Sequence, residues 1–267
     1  WLPGRGSLGA LRDRGAGLAV RGFKRMIGRL YARRLGALGF EGLYREDGSE
    51  AAYSPQRILA LSLREFEFAR RWPASVDFVG PLLWSPPAVG PPPPAPEDTR
   101  PQILVSLGTH LGFAKPALIA ELERIATAHP QWCLHFSAGR FDGATEGQVA
   151  RPEPGRLQQH AWVDYPSWIP RMQAVIHHGG AGVLWECLRA GVPQAVLPQD
   201  YDQFDHAARL QAAGLGLRLR STRGIAPAVA SLLHGPRTQS AGLLAKALAP
   251  DAAEARLRER VHTQLAP

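Results

Sequence analysis

Residues 174–207, AVIHHGGAGVLWECLRAGVPQAVLPQDYDQFDHA, hold the side chains and bare backbone with the clearest chemistry. His177 and His178 end an apolar run, and Gly179, Gly180 and Gly182 follow as a helical pattern begins. A histidine beside unblocked amides at a helix N-terminus suits a phosphate or diphosphate, because N–H donors and the helix dipole both favour an anion. About twenty residues on, Asp200, Asp202 and Gln203 offer carboxylates and an amide, groups that exchange hydrogen bonds with hydroxyls. A diphosphate cradle beside a hydroxyl reader points to a nucleotide-sugar.

The elements that must position these residues follow from periodicity. Strands are expected at Ile103–Leu107, Trp132–Phe136, Gln158–Val163, Ala174–His177, Gln194–Leu197 and Leu215–Leu219. Helices are expected at Lys115–Ala128, Ser167–Met172, Ala181–Ala190, Asp205–Ala213, Ile225–Leu233 and Ala252–Gln264. Such alternation predicts an α/β fold, a Rossmann-like parallel sheet with flanking helices. Ligands of these sheets sit beyond the carboxyl ends of the strands. Gly108-Thr109-His110, Trp162, the histidine–glycine turn and the Asp202 loop all fall there.

Residues 85–101 carry eight prolines in seventeen positions and read as a linker, since proline cannot join a sheet interior. They separate residues 1–84 from a domain over 102–250, with a terminal helix in 251–267. The first part is thinner: strand-like runs at Ile58–Ser62 and Val76–Val79, and a helix over 18–38 with Arg21, Lys24, Arg25, Arg29, Arg33 and Arg34. Two readings of that helix stay open, a solvated basic face and peripheral attraction to an anionic membrane.

The chain has 267 residues, is 45% hydrophobic and carries a net charge of +8, enough apolar content for a core. Only three of its 31 cationic side chains are lysines. The basic balance fits an anionic partner, but no nucleic-acid motif accompanies it, so none is expected as a partner. No run reaches the roughly 18 apolar residues of a membrane span, and no signal peptide is visible. Cys133 and Cys187 lie in apolar runs and read as core residues rather than a disulfide, which fits a cytoplasmic setting. No His/Cys/Asp cluster has metal-ligand spacing.

The stretch HHGGAGV…E…AGVPQAVLPQDYDQFDHAARL resembles the donor-site signature of family 1 glycosyltransferases, the UDP-glycosyltransferase superfamily. SPQRILALSLREFEF, FVGPL and ILVSLGT resemble further segments, so the likeness runs over about residues 54–235. It implies a GT-B fold, with the C-terminal half complete and the N-terminal acceptor half partial. It implies that His178 binds the donor diphosphate, that Gly180 and Gly182 let backbone approach it, and that Thr109 lies near the phosphates. Glu186 would accept a ribose hydroxyl, Trp162 would stack on the base, and Asp202 and Gln203 would read the sugar. His177 is then structural, and His110 has a less definite place. Val183 stands where the family usually has Ser or Thr, leaving only a backbone N–H for the phosphate. Asp164-Tyr165 replace a frequent Pro-Gln, which leaves UDP-sugar and dTDP-sugar both open as donors.

The implied activity is inverting transfer of a hexose to a hydroxyl of a lipophilic acceptor, with no cofactor or metal beyond the donor substrate. The family's general base, usually a histidine early in the N-terminal domain, is not in view: the first histidine here is His110. The chain also begins at Trp1. The expectation is therefore that most of the acceptor domain lies outside this sequence. The alternative is a non-catalytic half that only binds nucleotide-sugar.

Overall fold

The computed structural model describes residues 4, 6–39, 42–83, 98–109, 115–139, 153–235, 248–249 and 252–265. Its centre is a six-stranded, wholly parallel sheet. The strands are β3 (Gln102–Ser106), β4 (Cys133–Ser137), β5 (Gln158–His160), β6 (Ala174–His177), β7 (Gln194–Val196) and β8 (Leu217–Arg218), in spatial order β5-β4-β3-β6-β7-β8. The chain runs outward from β3 to β5, then returns to place β6 on the other side of β3. That reversal is a topological switch point, and the crevice between the carboxyl ends of β3 and β6 is where a ligand is expected.

Strands β3, β4, β6 and β7 are buried along their whole length, as strands covered on both faces must be. Alternation along β3 divides the core: Ile103 and Val105 join one cluster with α3 (Lys115–Ala128) and α7 (Ile225–His234). Leu104 joins another, with Trp168, Ile169, Met172, Val183 and Cys187. Helix α3 buries Leu118, Leu122, Ile125 and Ala126, one stripe at helical spacing. Both cysteines are buried and free.

The N-terminal part differs from its expected outline. The basic helix begins earlier, as α1 (Gly6–Leu30), breaks at Tyr31, and resumes as α2 (Ala32–Ala37). None of the described residues of either helix is buried. Strands β1 (Ile58–Ala60) and β2 (Val76–Phe78) form a separate parallel pair. Between them, Leu63 and Phe66 leave this part and pack with Leu184, Trp185 and Leu188 of the larger domain. Glu67 Oε2 accepts from Arg209 Nε at 2.8 Å. The terminal helix, α8 (Ala252–Leu265), returns to this region, where Arg256 Nε donates to the Val79 carbonyl at 2.7 Å. Of the proline-rich stretch, only residues 98–101 lie among the described residues.

Candidate functional site

The histidine–glycine turn joins β6 to α5 (Ala181–Ala190). Helix α5 begins after Gly180, which is extended and supplies no side-chain cap. The earliest amide bonded back along the helix is that of Leu184, to the Gly180 carbonyl at 3.1 Å. The amides of Ala181, Gly182 and Val183 are thus the orphan donors of a helix start, at the positive end of its dipole. The helix stops at Gly191, whose left-handed backbone (φ 67°) lets its N–H turn back onto Cys187 and Leu188 carbonyls.

His177 and His178 divide the work. His177 is wholly buried: its Nε2 donates to Gln194 Oε1 at 2.8 Å and its Nδ1 accepts from Gly179 N at 3.1 Å. Burial pushes its pKa down to about 3, so the ring is neutral and serves as a brace. His178 lies between two loops. A Cβ on Gly108, after β3, would come within 2.7 Å of its Cε1, and one on Gly180 within 2.5 Å of its Nε2. Glycine at 180 is therefore required first by the imidazole, a reason the sequence did not disclose. Gly182 faces open space, with nothing within 4 Å of a Cβ there, as an approach route for an anion requires.

The second loop is pinned to the first. A Cβ on Gly179 (φ 99°) would meet Val196 and the backbone of Gln203. Gln203 Oε1 accepts from the amides of Gln199 and Asp200 at 2.9 and 3.1 Å, so its amide N–H groups are what it can offer a hydroxyl. Tyr201 holds φ 50°, unusual for a residue with a Cβ, and its amide donates to Asp200 Oδ1 at 2.8 Å. Such a conformation costs about 1–3 kcal/mol and persists where the surroundings fix it. Asp202 opens α6 (Gln203–Ala212) without spending its carboxylate as a cap, and its side chain is 70% exposed.

The remaining positions vary in how far they join this crevice. Thr109 is exposed on the loop after β3. Glu186 is buried, not the exposed helix residue of a purely surface role, and takes Arg189 Nε on both carboxylate oxygens at 3.0 Å. Val183 turns its side chain into the core, which leaves its amide as its only contribution. Trp162 is half-buried and lies nearly parallel to Tyr165, ring centres 6.5 Å apart. The departure at 164–165 has a local account: Asp164 caps α4 (Tyr165–Trp168) by accepting from Ser167 N at 3.2 Å, and the Tyr165 hydroxyl reaches Ser106 Oγ at 2.8 Å. Together they fix the segment that carries Trp162. His110 lies outside the described residues.

Residues 141–255 match the family model for the erythromycin biosynthesis protein CIII-like C-terminal domain. In this stretch the chain is similar to the C-terminal domain of glycosyltransferases. Among curated relatives, the chain is similar to the O-mycaminosyltylonolide 6-deoxyallosyltransferase of Streptomyces fradiae (30% identity over 56% of the chain and 34% of the relative). It is also similar to the zeaxanthin glucosyltransferase of Pseudescherichia vulneris (30% identity over 62% of the chain and 39% of the relative). The chain thus spans little more than a third of the length of these relatives. A solved glycosyltransferase of kitacinnamycin shares the fold over the whole chain and 68% of its own length, with a TM-score of 0.69 and 23% identity. The architecture is GT-B.

Proposed function

We propose that this chain carries the donor half of an inverting glycosyltransferase that moves a hexose from a UDP- or dTDP-sugar to a hydroxyl of a lipophilic small molecule. The carrying observation is the crevice at the switch point. It sets His178 and three orphan amides of α5 opposite a strained loop whose Asp202 carboxylate is uncommitted. In the reaction, an acceptor oxygen bonds the anomeric carbon as that carbon's bond to the diphosphate breaks. The negative charge that develops on the leaving diphosphate falls where the N–H donors point, so the site favours the transition state without a metal. The acceptor proton passes to a base on an N-terminal domain. Glu186 would meet the ribose, and Trp162 the base.

The lipophilic acceptor and peripheral membrane contact are supported by α1. Its apolar arc includes Leu8, Phe23, Met26 and Leu30, all exposed, and its opposite arc carries Arg14, Arg21, Lys24, Arg25 and Arg29. That pattern suits an anionic bilayer surface. Among the described residues no helix is long and apolar enough to cross a membrane. Two buried free cysteines fit a cytoplasmic location.

Calorimetry with UDP, dTDP and the corresponding glucose esters tests the donor reading. His178→Ala is expected to weaken nucleoside diphosphate binding by about 1–3 kcal/mol, the cost of losing a bond to a charged group. Unchanged affinity would remove the diphosphate assignment.

A further inference from the structure

One polar side chain at the meeting of the two loops has no part in the reading above. His206 lies in the first turn of α6, with its Nδ1 2.8 Å from the Gly179 carbonyl oxygen. A carbonyl only accepts, so Nδ1 carries the proton and donates. In the neutral ring, Nε2 then holds the lone pair. That nitrogen lies 4.0 Å from Asp202 Oδ2, beyond direct hydrogen-bond reach. The His206 side chain is 18% exposed, against 70% for Asp202.

Two acceptors therefore stand side by side, one on a fixed ring and one on a strained loop. Neither satisfies the other while the ring is neutral. Adjacent hydroxyls on a sugar ring match such a pair, because each can donate its proton to a separate acceptor. The same ring is tied through Gly179 to the turn that faces the diphosphate, so the two ends of a donor would be held in register.

We infer that His206 is a specificity-determining residue, which together with Asp202 receives neighbouring hydroxyls of the transferred sugar. This rests on the donor-site reading. It separates two roles in one side chain: Nδ1–H orders the glycine turn, and Nε2 reads the sugar.

Two variants divide these roles. In His206→Asn, the amide N–H₂ can stand where Nδ1 stood and keep the Gly179 bond, but nothing replaces Nε2. In His206→Gln, the longer amide can place an acceptor near the Nε2 position and gives up the Nδ1 bond. Calorimetry of wild type and both variants uses two probe pairs, UDP with UDP-glucose and dTDP with dTDP-glucose. The expected result for His206→Asn is nucleoside diphosphate affinity within about twofold of wild type. Its glucose ester should bind about three- to tenfold more weakly than to wild type, the span of one lost hydrogen bond. His206→Gln should recover part of the sugar-dependent affinity while binding both members of a pair more weakly. A parallel loss for diphosphate and glucose ester in His206→Asn would overturn the inference and leave His206 a brace of the turn. So would a glucose ester affinity equal to wild type. A wild-type chain that binds neither nucleotide nor glucose ester would overturn the donor site itself, an outcome distinct from a variant-specific failure.

Discussion

The two parts of this chain obey different rules of stability. The sheet domain buries four strands completely and places Phe136, Ile103, Leu122 and Ile176 beyond reach of water. The N-terminal part holds a two-stranded parallel pair of three residues each and a 25-residue helix with none of its residues buried. A lone strand pair is marginal in water, and most helices in proteins owe their stability to packing. Among the described residues of this part, Leu63 and Phe66 join the larger domain's core, Leu83 packs against it, and Glu67 is tied to it through Arg209. The difference teaches where the candidate site gets its rigidity: from the sheet, not from what precedes it.

The largest effect should come from opening the sheet domain's core. Phe136→Ala removes a fully buried ring from β4, and it is expected to lower the free energy of unfolding by about 3–5 kcal/mol in urea titration. A loss under 1 kcal/mol would mean that the sheet is no more a cooperative unit than the N-terminal part.

Much of this contrast was legible in the residues. Lys115–Ala128, Ala174–His177 and Ala181–Ala190 stand where periodicity placed them, because each has a strong apolar stripe or run and a clear stop. Helix α1 was harder. Gly6, Gly9, Gly15 and Gly17 dilute its first turns and mimic a loop, and its apolar face is not selected by any core on the described residues. The basic run 18–38 also concealed the break at Tyr31. At the candidate site, spacing singled out His178, Asp202 and Gln203, but not what Gly108 stands against, the partner of Glu186, or the bond from His206 to Gly179. Those depend on contacts between loops far apart in sequence. The buried pair His135–His160, 3.1 Å apart, gave no signal because strand histidines look the same whether covered or exposed.

Acidification should narrow the contrast, because the buried histidines that resist protonation belong to the sheet domain. His135 and His177 are both buried, and burial lowers each pKa from 6.5 to about 3. Below pH 6.5 the unfolded chain gains protons that the folded domain refuses. Stability is therefore lost as pH falls from about 6.5 toward about 3, at up to about 1.4 kcal/mol per pH unit for each histidine. Urea midpoints at pH 7.5, 6 and 5 check this, and His135→Gln should flatten the slope by about half. A midpoint independent of pH would show that these rings are not held neutral.

The smallest effect on folding should be found on α1. Phe23 is 60% exposed and Met26 is 55% exposed, so each leaves water only slightly when the chain folds. Phe23→Ser is expected to change unfolding free energy by no more than about 0.5 kcal/mol, as surface changes usually do. The same substitution removes a large ring from the arc opposite Arg21, Lys24 and Arg25, two of which already stack against Tyr44. If that arc meets lipid, sedimentation with anionic vesicles should fall in the variant while neutral vesicles capture neither protein. A Phe23→Ser chain that loses several kcal/mol of stability would place α1 inside a cooperative core and dissolve the distinction between the two regions. A chain equally stable and equally bound to vesicles would keep the distinction and remove lipid as the reason for the exposed face.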